Sequence, residues 1–463
     1  MAKNKAKNIA IIGAGWAGCA AAVKLSERGH HVTLIEAARA LGGRARAVDF
    51  DGRLLDNGQH ILLGAYSACL GLMRLLKIDL DKALLRLPLQ MVYPHQTGIQ
   101  FIAPKLPAPL HVLFALMRAQ GMSRNDKFAL ARFSTTARWI DWRLHQDCTV
   151  TELLQRYEQT EHLCRFMWNP LCIAALNTPP ERASAQVFLN VLRDSLGAKR
   201  AASDMLIPRL DLSRLLPDAA ADFVRQHGGQ VKTGVSIQSL IQQDNQSWRL
   251  EPLRATSGEE IDTISNQEFD GIVIATNAKQ THRLLSTAFM ATANADDSHV
   301  SEELLANMQF SYEPISTCYL QYPETVKLDR PFYALADSPQ QGHWAQFVFD
   351  RGQLNANQLG LMAVVISAST EAISQPASQI ITDVCQQLAQ QLQIPALATP
   401  TWTQMITEKR ATFACTADLK RPANQTAIPG IALAGDFTAS DYPATLESAV
   451  RSGIKAAELW PST

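Results

Sequence analysis

The chain has 463 residues, 47% of them hydrophobic and 19% charged, with 43 basic side chains set against 43 acidic ones. That balance excludes the basic excess of a nucleic-acid binder, so no nucleic acid is expected as a partner. The length exceeds what a single hydrophobic core normally organises, which predicts two domains.

In chain order, Lys3, Lys5 and Lys7 form a solvated basic tail. The apolar run after them is too short for a signal peptide and lacks a cleavage site. Nowhere do about 18 uncharged apolar residues follow one another, as a membrane span requires. NIAII (8–12) predicts a buried strand, residues 16–28 a helix stopped by Gly29, and HHVTLIEA (30–37) a second strand. From Leu70 to about Ser203 the pattern predicts mostly helix, with basic and aromatic residues interleaved in LPAPLHVLFALMRAQ, KFALARFSTTARWIDWRL and RFMWNPLCIAALN. Residues 228–250 predict a strand pair and FDGIVIAT (269–276) another buried strand. Segments 312–322, 343–350 and 361–368 alternate with period two, which predicts a second sheet. A helix follows at 377–393, and GIALAGD (430–436) returns as strand and turn before a last helix. The eight cysteines form no CxxC pair and join no histidine cluster. They are read as reduced core residues of a cytoplasmic protein, and no metal site is expected.

The chemistry sits in the turns. GAGWAG (Gly13, Gly15 and Gly18, with Trp16 and Ala17 between them) stands between a predicted strand and helix. Gly13 permits the tight turn, Gly15 lets the backbone approach a pyrophosphate, and Gly18 permits close helix–strand packing. The phosphates would meet the helix N-terminus, where unpaired N–H groups favour negative charge. Glu36 ends the second strand, where a carboxylate accepts both ribose hydroxyls and disfavours a 2′-phosphate. LGGRAR (41–46) follows, and Gly43 lets the chain run beside a pyrophosphate while Arg44 supplies charge. A plain NAD-binding unit has no need of that segment, so the expected cofactor is FAD. At the other end, Asp436 of LAGD is placed for ribityl or phosphate-adjacent hydroxyls. The start of the last helix aims N–H groups at an edge of the ring that becomes negative on reduction.

These motifs, taken with LLDNGQHILLGAY (54–66) and DGIVIAT, resemble the flavin-dependent amine oxidase and phytoene desaturase superfamily across nearly the whole chain. Within it, the 54–66 segment, WNPLCIAALNTPPERASA (168–185), PISTCYLQY (314–322) and PATLESAVRSG resemble the squalene-associated branch, the hydroxysqualene dehydroxylases of hopanoid biosynthesis. The resemblance implies an α/β fold. A Rossmann-like FAD-binding domain is assembled from discontinuous segments (1–70, 204–285 and 405–463). An α+β substrate domain (71–203 and 286–404) carries a mixed sheet and a helical insertion. It also implies FAD contacts at Gly13, Gly15, Gly18, Glu36, Arg44 and Asp436, at Val235 in the strand whose backbone meets adenine, and at Leu446 beside the ring. No cysteine linkage is recognisable, so the FAD is expected to be noncovalent. The paired aromatics of an amine cage are missing, Tyr442 with nearby Phe437 being the nearest match, and this counts against an amine substrate.

The implied activity is reduction of hydroxysqualene to squalene, with the allylic hydroxyl leaving as a cation forms and hydride arriving from reduced flavin. His60 is the first candidate for a proton donor at the leaving oxygen, with a hydrogen-bonded structural role as its second reading. Asp56, Gln59, Asp441 and Tyr442 are further candidates for that role. The substrate is a hydrophobic isoprenoid, which the enzyme must collect from lipid. The helical insertion, with Arg118, Arg124, Arg132, Arg138 and Arg143 between apolar residues, reads either as a core bundle with a basic outer face or as a tunnel. The tunnel would open at the inner face of the cell membrane, with PAPLHVLFALM as an interfacial element. NADPH is the candidate transient reductant, a partner reductase the second possibility, and upstream squalene-pathway enzymes are candidate partners. Two further functions fit the same motifs: a phytoene-type desaturase, which would oxidise a polyene, and a prenyl-lipid escort without redox chemistry.

Overall fold

The computed structural model describes all residues except 1–4, 97, 109, 198, 256–257 and 293–302. Lys3 of the basic tail and Pro109 of PAPLHVLFALM therefore lie outside the described residues. The elements that position the cavity begin with β1 (Asn8–Ile12), α1 (Trp16–Glu27), β2 (His31–Glu36) and α2 (Ser67–Leu75). The helical insertion contributes α3 (Leu110–Arg118), α4 (Arg124–Trp139) and α5 (Asn169–Leu176). Next come β3 (Gln230–Thr233), β4 (Gly271–Ile274), β5 (Tyr312–Gln321), β6 (Phe332–Ala334), β7 (Phe347–Asp350) and β8 (Leu361–Ile366). The chain closes with α6 (Ala377–Leu392), β9 (Trp402–Phe413), β10 (Ile431–Leu433) and α7 (Leu446–Ala457).

Five strands drawn from the two ends and the middle of the chain make one parallel sheet, in the order β3-β2-β1-β4-β10. Its central strands read as unbroken apolar runs because both faces are covered, one by α1 and α7 and the other by a hairpin of Ser236–Gln242 with Trp248–Arg254. Gly453 of α7 packs so tightly on α1 that a Cβ there would stand 2.1 Å from the Ala17 carbonyl oxygen. Arg28 at the end of α1 donates to the carbonyls of Ala457 (2.8 Å) and Trp460 (3.0 Å). The two chain termini thus share one sheet and one helix–helix contact.

Glu447 adds a long-range tie. Its buried carboxylate accepts from the backbone N–H groups of Ala68 (3.0 Å) and Cys69 (2.9 Å), at the start of α2, and from Arg451 Nε (2.7 Å). A carboxylate at a helix N-terminus meets both unpaired donors and the favourable end of the dipole. Glu447→Gln keeps only one acceptor oxygen, so it is expected to lower unfolding free energy by about 2 kcal/mol, read by urea titration.

The second sheet, in the order β6-β7-β8-β5-β9, is antiparallel throughout, in place of the mixed sheet expected. Strands β6, β7 and β8 follow one another as a meander, and α6 then carries the chain across β5 to β9, so every neighbouring pair is antiparallel. One face, with Cys318, Leu320, Met362 and Val364, packs on Ile380, Val384 and Leu388 of α6. The other turns Tyr319, Phe347, Phe349 and Val365 the opposite way. Strand β9 crosses residue 405, the expected domain boundary, and pairs along its length with β5, so the chain up to Phe413 runs with this sheet.

The stretch expected to be mostly helical from Leu70 contains strands at Leu84–Leu87, Gln90–Val92 and Gln100–Ile102. The first pairs with Met205–Pro208 and the other two with each other. Period could not separate such short apolar runs from helix turns, and the first one's partner lies far along the chain. Of the cysteines, Cys148 and Cys164 are half-buried and the other six buried. Among the described residues no helix is long and apolar enough to cross a membrane.

Candidate active site

The carboxyl ends of β1, β2, β4 and β10 open onto one cavity of about 830 Å³, lined there by Gly13, Glu36, Thr276 and Asp436. Ligands of open parallel sheets bind at that edge. The cavity continues between the cavity-facing side of the antiparallel sheet (Thr317, Phe347, Phe349, Val365) and the helical insertion (Leu116, Phe133, Trp142, Trp168, Leu171). A polar end and a long apolar end are therefore joined in one space.

Every residue expected to meet the cofactor lines this cavity except Gly18, which acts from behind. Gly13 has φ +104°, and a Cβ on it would lie 2.6 Å from the Ala275 carbonyl oxygen. A Cβ on Gly18 would stand 1.9 Å from the Gly13 carbonyl oxygen, so glycine lets α1 start against the turn. Gly15 differs: its nearest neighbour would be the Gly43 Cα at 3.9 Å, which leaves a backbone-walled cradle that a side chain would fill. The loop bearing Gly43 is pinned there by Gly42 N–H donating to the Ala14 carbonyl (2.8 Å). Trp16 Nε1 donates to the Ala45 carbonyl (3.1 Å) and pins it a second time. Glu36 accepts from the N–H groups of Ala14 (2.7 Å) and Ala38 (2.9 Å), which aims its carboxylate across the end of β1. The Val235 N–H is taken by the Glu36 carbonyl (2.9 Å), leaving its carbonyl for any ligand beside it.

Arg44 lines the cavity and is held by the protein itself. Its guanidinium donates to Asp436 Oδ1 and to the Ala411 carbonyl, both at 2.6 Å. Opposite charges facing each other across a narrow gap pair directly, and this pair clasps the first glycine segment to the last one. Leu446 opens α7, whose N-cap Thr445 accepts from Ser448 N–H, and both Leu446 and Thr445 line the cavity.

His60 reaches the cavity with its Nδ1–H donating to the Gly58 carbonyl (3.3 Å), and Nε2 has no hydrogen-bond partner among the described residues. Burial, with some help from the Arg44 charge and against the Gly58 contact, pushes its pKa down to about 4. At neutral pH it is a neutral imidazole presenting an acceptor, which is the wrong state for the proton donor expected of it. Gln59 has both amide ends engaged: Nε2 donates to the Tyr319 hydroxyl (2.9 Å) and Oε1 accepts from Arg351 (3.0 Å). It holds the loop that carries His60. Tyr442 also lines the cavity, but its hydroxyl donates to Asp194, and Arg451 lies over its ring at 5.0 Å. Phe437 points instead into the core, towards Phe310, so no aromatic pair forms with Tyr442. The two aspartates considered as proton donors are also displaced from the cavity. Asp441 is exposed and away from it. Asp56 is buried behind it, accepting from Leu212 N–H (2.8 Å) with Arg351 3.8 Å away. Burial raises the Asp56 pKa to about 6 against the pull of Arg351 and the Leu212 contact.

Sequence reasoning missed Arg351 and Tyr319, which fasten the His60 loop from the antiparallel sheet. The Tyr319 hydroxyl donates to the Asp56 carbonyl (2.8 Å), and Arg351 donates to Gln358 (2.9 Å) as well as to Gln59. It also missed the irregular π turns at Cys164–Trp168 and Arg193–Gly197, which bring Met167, Trp168 and Asp194 to the cavity wall. Such turns are frequent at functional sites, but no residue type announces them.

A parallel sheet opening through glycine turns onto a cavity that runs on beneath an antiparallel sheet defines a nucleotide-dependent oxidoreductase with a buried apolar substrate space. The chain belongs to the flavin containing amine oxidoreductase family, whose model matches residues 16–459. It is similar to the hydroxysqualene dehydroxylase of Rhodopseudomonas palustris, at 27% identity over 98% of both chains. It is also similar to the 15-cis-phytoene desaturase of Glycine max, at 24% identity over 97% of this chain and 78% of that one. Among solved structures it shares its fold with an oxidoreductase from Methanosarcina mazei, at TM-score 0.69 and 14% identity over 97% of this chain and 100% of that one. The residues present fit a flavin nucleotide. The Gly15–Gly43 cradle admits backbone-close phosphates, Glu36 suits a ribose, and the α7 N-terminus faces the space between.

Proposed function

We propose that the protein is an FAD-dependent reductase of a long apolar allylic alcohol, converting hydroxysqualene to squalene. The observation that carries the reading is the joining of a nucleotide-type polar end to an apolar, aromatic-walled extension in one cavity. The relatives named hydroxysqualene dehydroxylase support it, since they match over nearly their whole length at higher identity than the phytoene desaturase. Gly13, Gly15, Gly43, Glu36, Asp436 and Leu446 hold the FAD without a covalent bond, none of the cysteines being among the lining residues. Bound flavin would supply two-electron chemistry, a hydride for the substrate carbon together with the proton that lets the hydroxyl leave as water.

The chain's own residues do the rest. Phe133, Trp142, Trp168, Phe347 and Phe349 line the extension, exclude water and offer aromatic faces to a delocalised cation. The His60 Nε2, as an acceptor, takes a hydrogen bond from the substrate hydroxyl and orients its carbon–oxygen bond. Gln59 holds that loop through Arg351 and Tyr319. The Arg44–Asp436 clasp keeps the polar end closed around the nucleotide. Reducing equivalents come from NADPH in a transient encounter or from a partner reductase, and the upstream enzymes that make the alcohol are its natural suppliers.

Anaerobic incubation of the reduced holoprotein with hydroxysqualene, followed by mass analysis of the lipid extract, is expected to yield squalene in proportion to flavin oxidised. Recovery of unchanged alcohol, with phytoene desaturated in a parallel oxidised reaction, overturns the reading in favour of a desaturase. A purified protein that stays colourless with added FAD overturns both.

A further inference from the structure

We propose that α3 and α4 form a docking face that seats the protein on an anionic bilayer, with the apolar end of the cavity directly behind it. The two helices carry an unusual run of exposed large apolar side chains: Leu110 (42% exposed), Leu113 (49%), Met117 (62%), Phe128 (74%) and Trp139 (85%). Their spacing is helical. Leu110, Leu113 and Met117 form one stripe of α3, while Phe128 and Trp139, eleven positions apart, complete three turns of α4 and share a face. Lys127 Nζ donates to the Met117 carbonyl (2.9 Å), which brings the end of one stripe beside the start of the other.

The charge around the stripes is predominantly positive, with Asp141 the one exposed acidic residue of the segment. Between residues 110 and 144 six basic residues stand against two acidic ones, in a chain whose charges cancel overall. Of the acidic pair, Asp126 is buried as part of the α4 capping box. Arg118, Arg124, Arg138 and Arg143 are exposed and in no ion pair among the described residues, whereas Arg132 is matched by Glu158 (2.9 Å). Apolar side chains with a tryptophan, ringed by arginines, are the composition of a helix that lies in the headgroup boundary and prefers anionic lipid.

Other faces of the same helices line the cavity, through Val112 and Leu116 of α3 and Leu130, Phe133 and Ser134 of α4. A bilayer against the outer face is thus one helix thickness from the apolar end of the substrate space. A second copy of the chain fits this face poorly, because a two-fold contact would set the same unpaired arginines against one another. The purpose assigned to the face rests on the lipid-substrate reading above, although its residues are argued independently of the reaction.

The test is flotation of the flavin-loaded protein with phosphatidylglycerol–phosphatidylcholine vesicles and with phosphatidylcholine vesicles alone. The wild type is expected to float with the anionic vesicles and much less with the neutral ones. Leu113→Ser/Met117→Ser/Phe128→Ser is expected to lower partitioning about 10-fold or more, while visible flavin absorbance and turnover of detergent-dispersed substrate hold. Trp139 emission should shift to the blue on anionic vesicles, read as the difference between the wild type and Trp139→Phe. A wild type that stays in the dense fraction with either vesicle overturns the proposal, as does a triple variant that floats equally well. So does a dimer in size exclusion that the triple variant dissociates. Because flotation is blind to turnover, its failure is distinguishable from failure of the hydroxysqualene assay.

Discussion

Gly15→Val is expected to give a folded protein that purifies without colour. The backbone at Gly15 is extended (φ −68°, ψ 178°), a conformation valine adopts without strain. Its Cβ would meet only the Gly43 Cα at 3.9 Å, so the apoprotein has room for it. The remaining methyl groups enter the cradle between the two glycine loops, where the backbone must approach a pyrophosphate. Loss of that approach, worth about 3 kcal/mol, weakens flavin binding about 100-fold. The contrast is Gly18→Ala, whose Cβ would sit 1.9 Å from the Gly13 carbonyl oxygen and must push α1 off the turn. Gly18→Ala should therefore lose soluble protein, whereas Gly15→Val should lose flavin at unchanged apoprotein melting temperature. Titrating FAD into each apoprotein by fluorescence quenching measures the difference. A Gly15→Val protein that binds FAD as tightly as the wild type places the nucleotide elsewhere.

The second large effect concerns pH, and it is hidden in the wild type. Burial takes two neighbouring groups in opposite senses, raising Asp56 to about 6 and lowering His60 to about 4. For Asp56 the folded protein binds the proton more tightly than the unfolded chain, whose carboxyl titrates near 3.8. Its contribution is fully present below that value and is lost as pH rises through about 6. For His60 the unfolded chain holds the proton more tightly, with a pKa near 6.5, so stability is present above that value and lost as pH falls through about 4. Each shift corresponds to about 3 kcal/mol, and the two slopes oppose each other across nearly the same window. In the wild type these two contributions should largely cancel between about pH 4 and pH 6.5, so each variant's slope is read relative to the wild type. Asp56→Asn exposes the His60 slope, so its melting temperature climbs with pH. His60→Gln exposes the Asp56 slope, and its melting temperature falls. Each substitution also shifts the baseline, since Asp56→Asn leaves Arg351 without its carboxylate, but the sign of the slope is the readout. Slopes of the same sign in both variants remove the explanation.

Parts of the site legible from sequence were those whose chemistry is local. Gly13, Gly15 and Gly18 answer steric demands within a few residues of themselves, and Glu36 ends a strand whose length is fixed by the glycine turn. Asp436 follows the same logic at the far end, after β10. What could not be read depends on partners distant along the chain. Arg351 follows a buried strand with nothing to mark it, and only the fold brings it to Gln59, 292 positions earlier. The His60 protonation state follows from burial, which a motif does not encode. Leu84–Leu87 reads as part of a helix until Met205–Pro208 supplies its neighbour. Arg44 and Asp436 both line the cavity where the motifs place them, but their pairing across 392 positions belongs to the fold and to neither motif.

The sharing of one sheet by both ends of the chain has a consequence for biosynthesis. Strand β1 leaves the ribosome early, yet β10 is translated more than four hundred residues later and α7 after that. At about 5–20 residues per second, the glycine turn waits roughly 20–80 s for its neighbours. During that interval the nascent polypeptide carries an unfinished nucleotide seat and an uncovered oily interior, so loading of a nucleotide has to wait until the last helix has been made. A premature stop codon anywhere before the last helix would leave a product that cannot mature, however much of its length had been made.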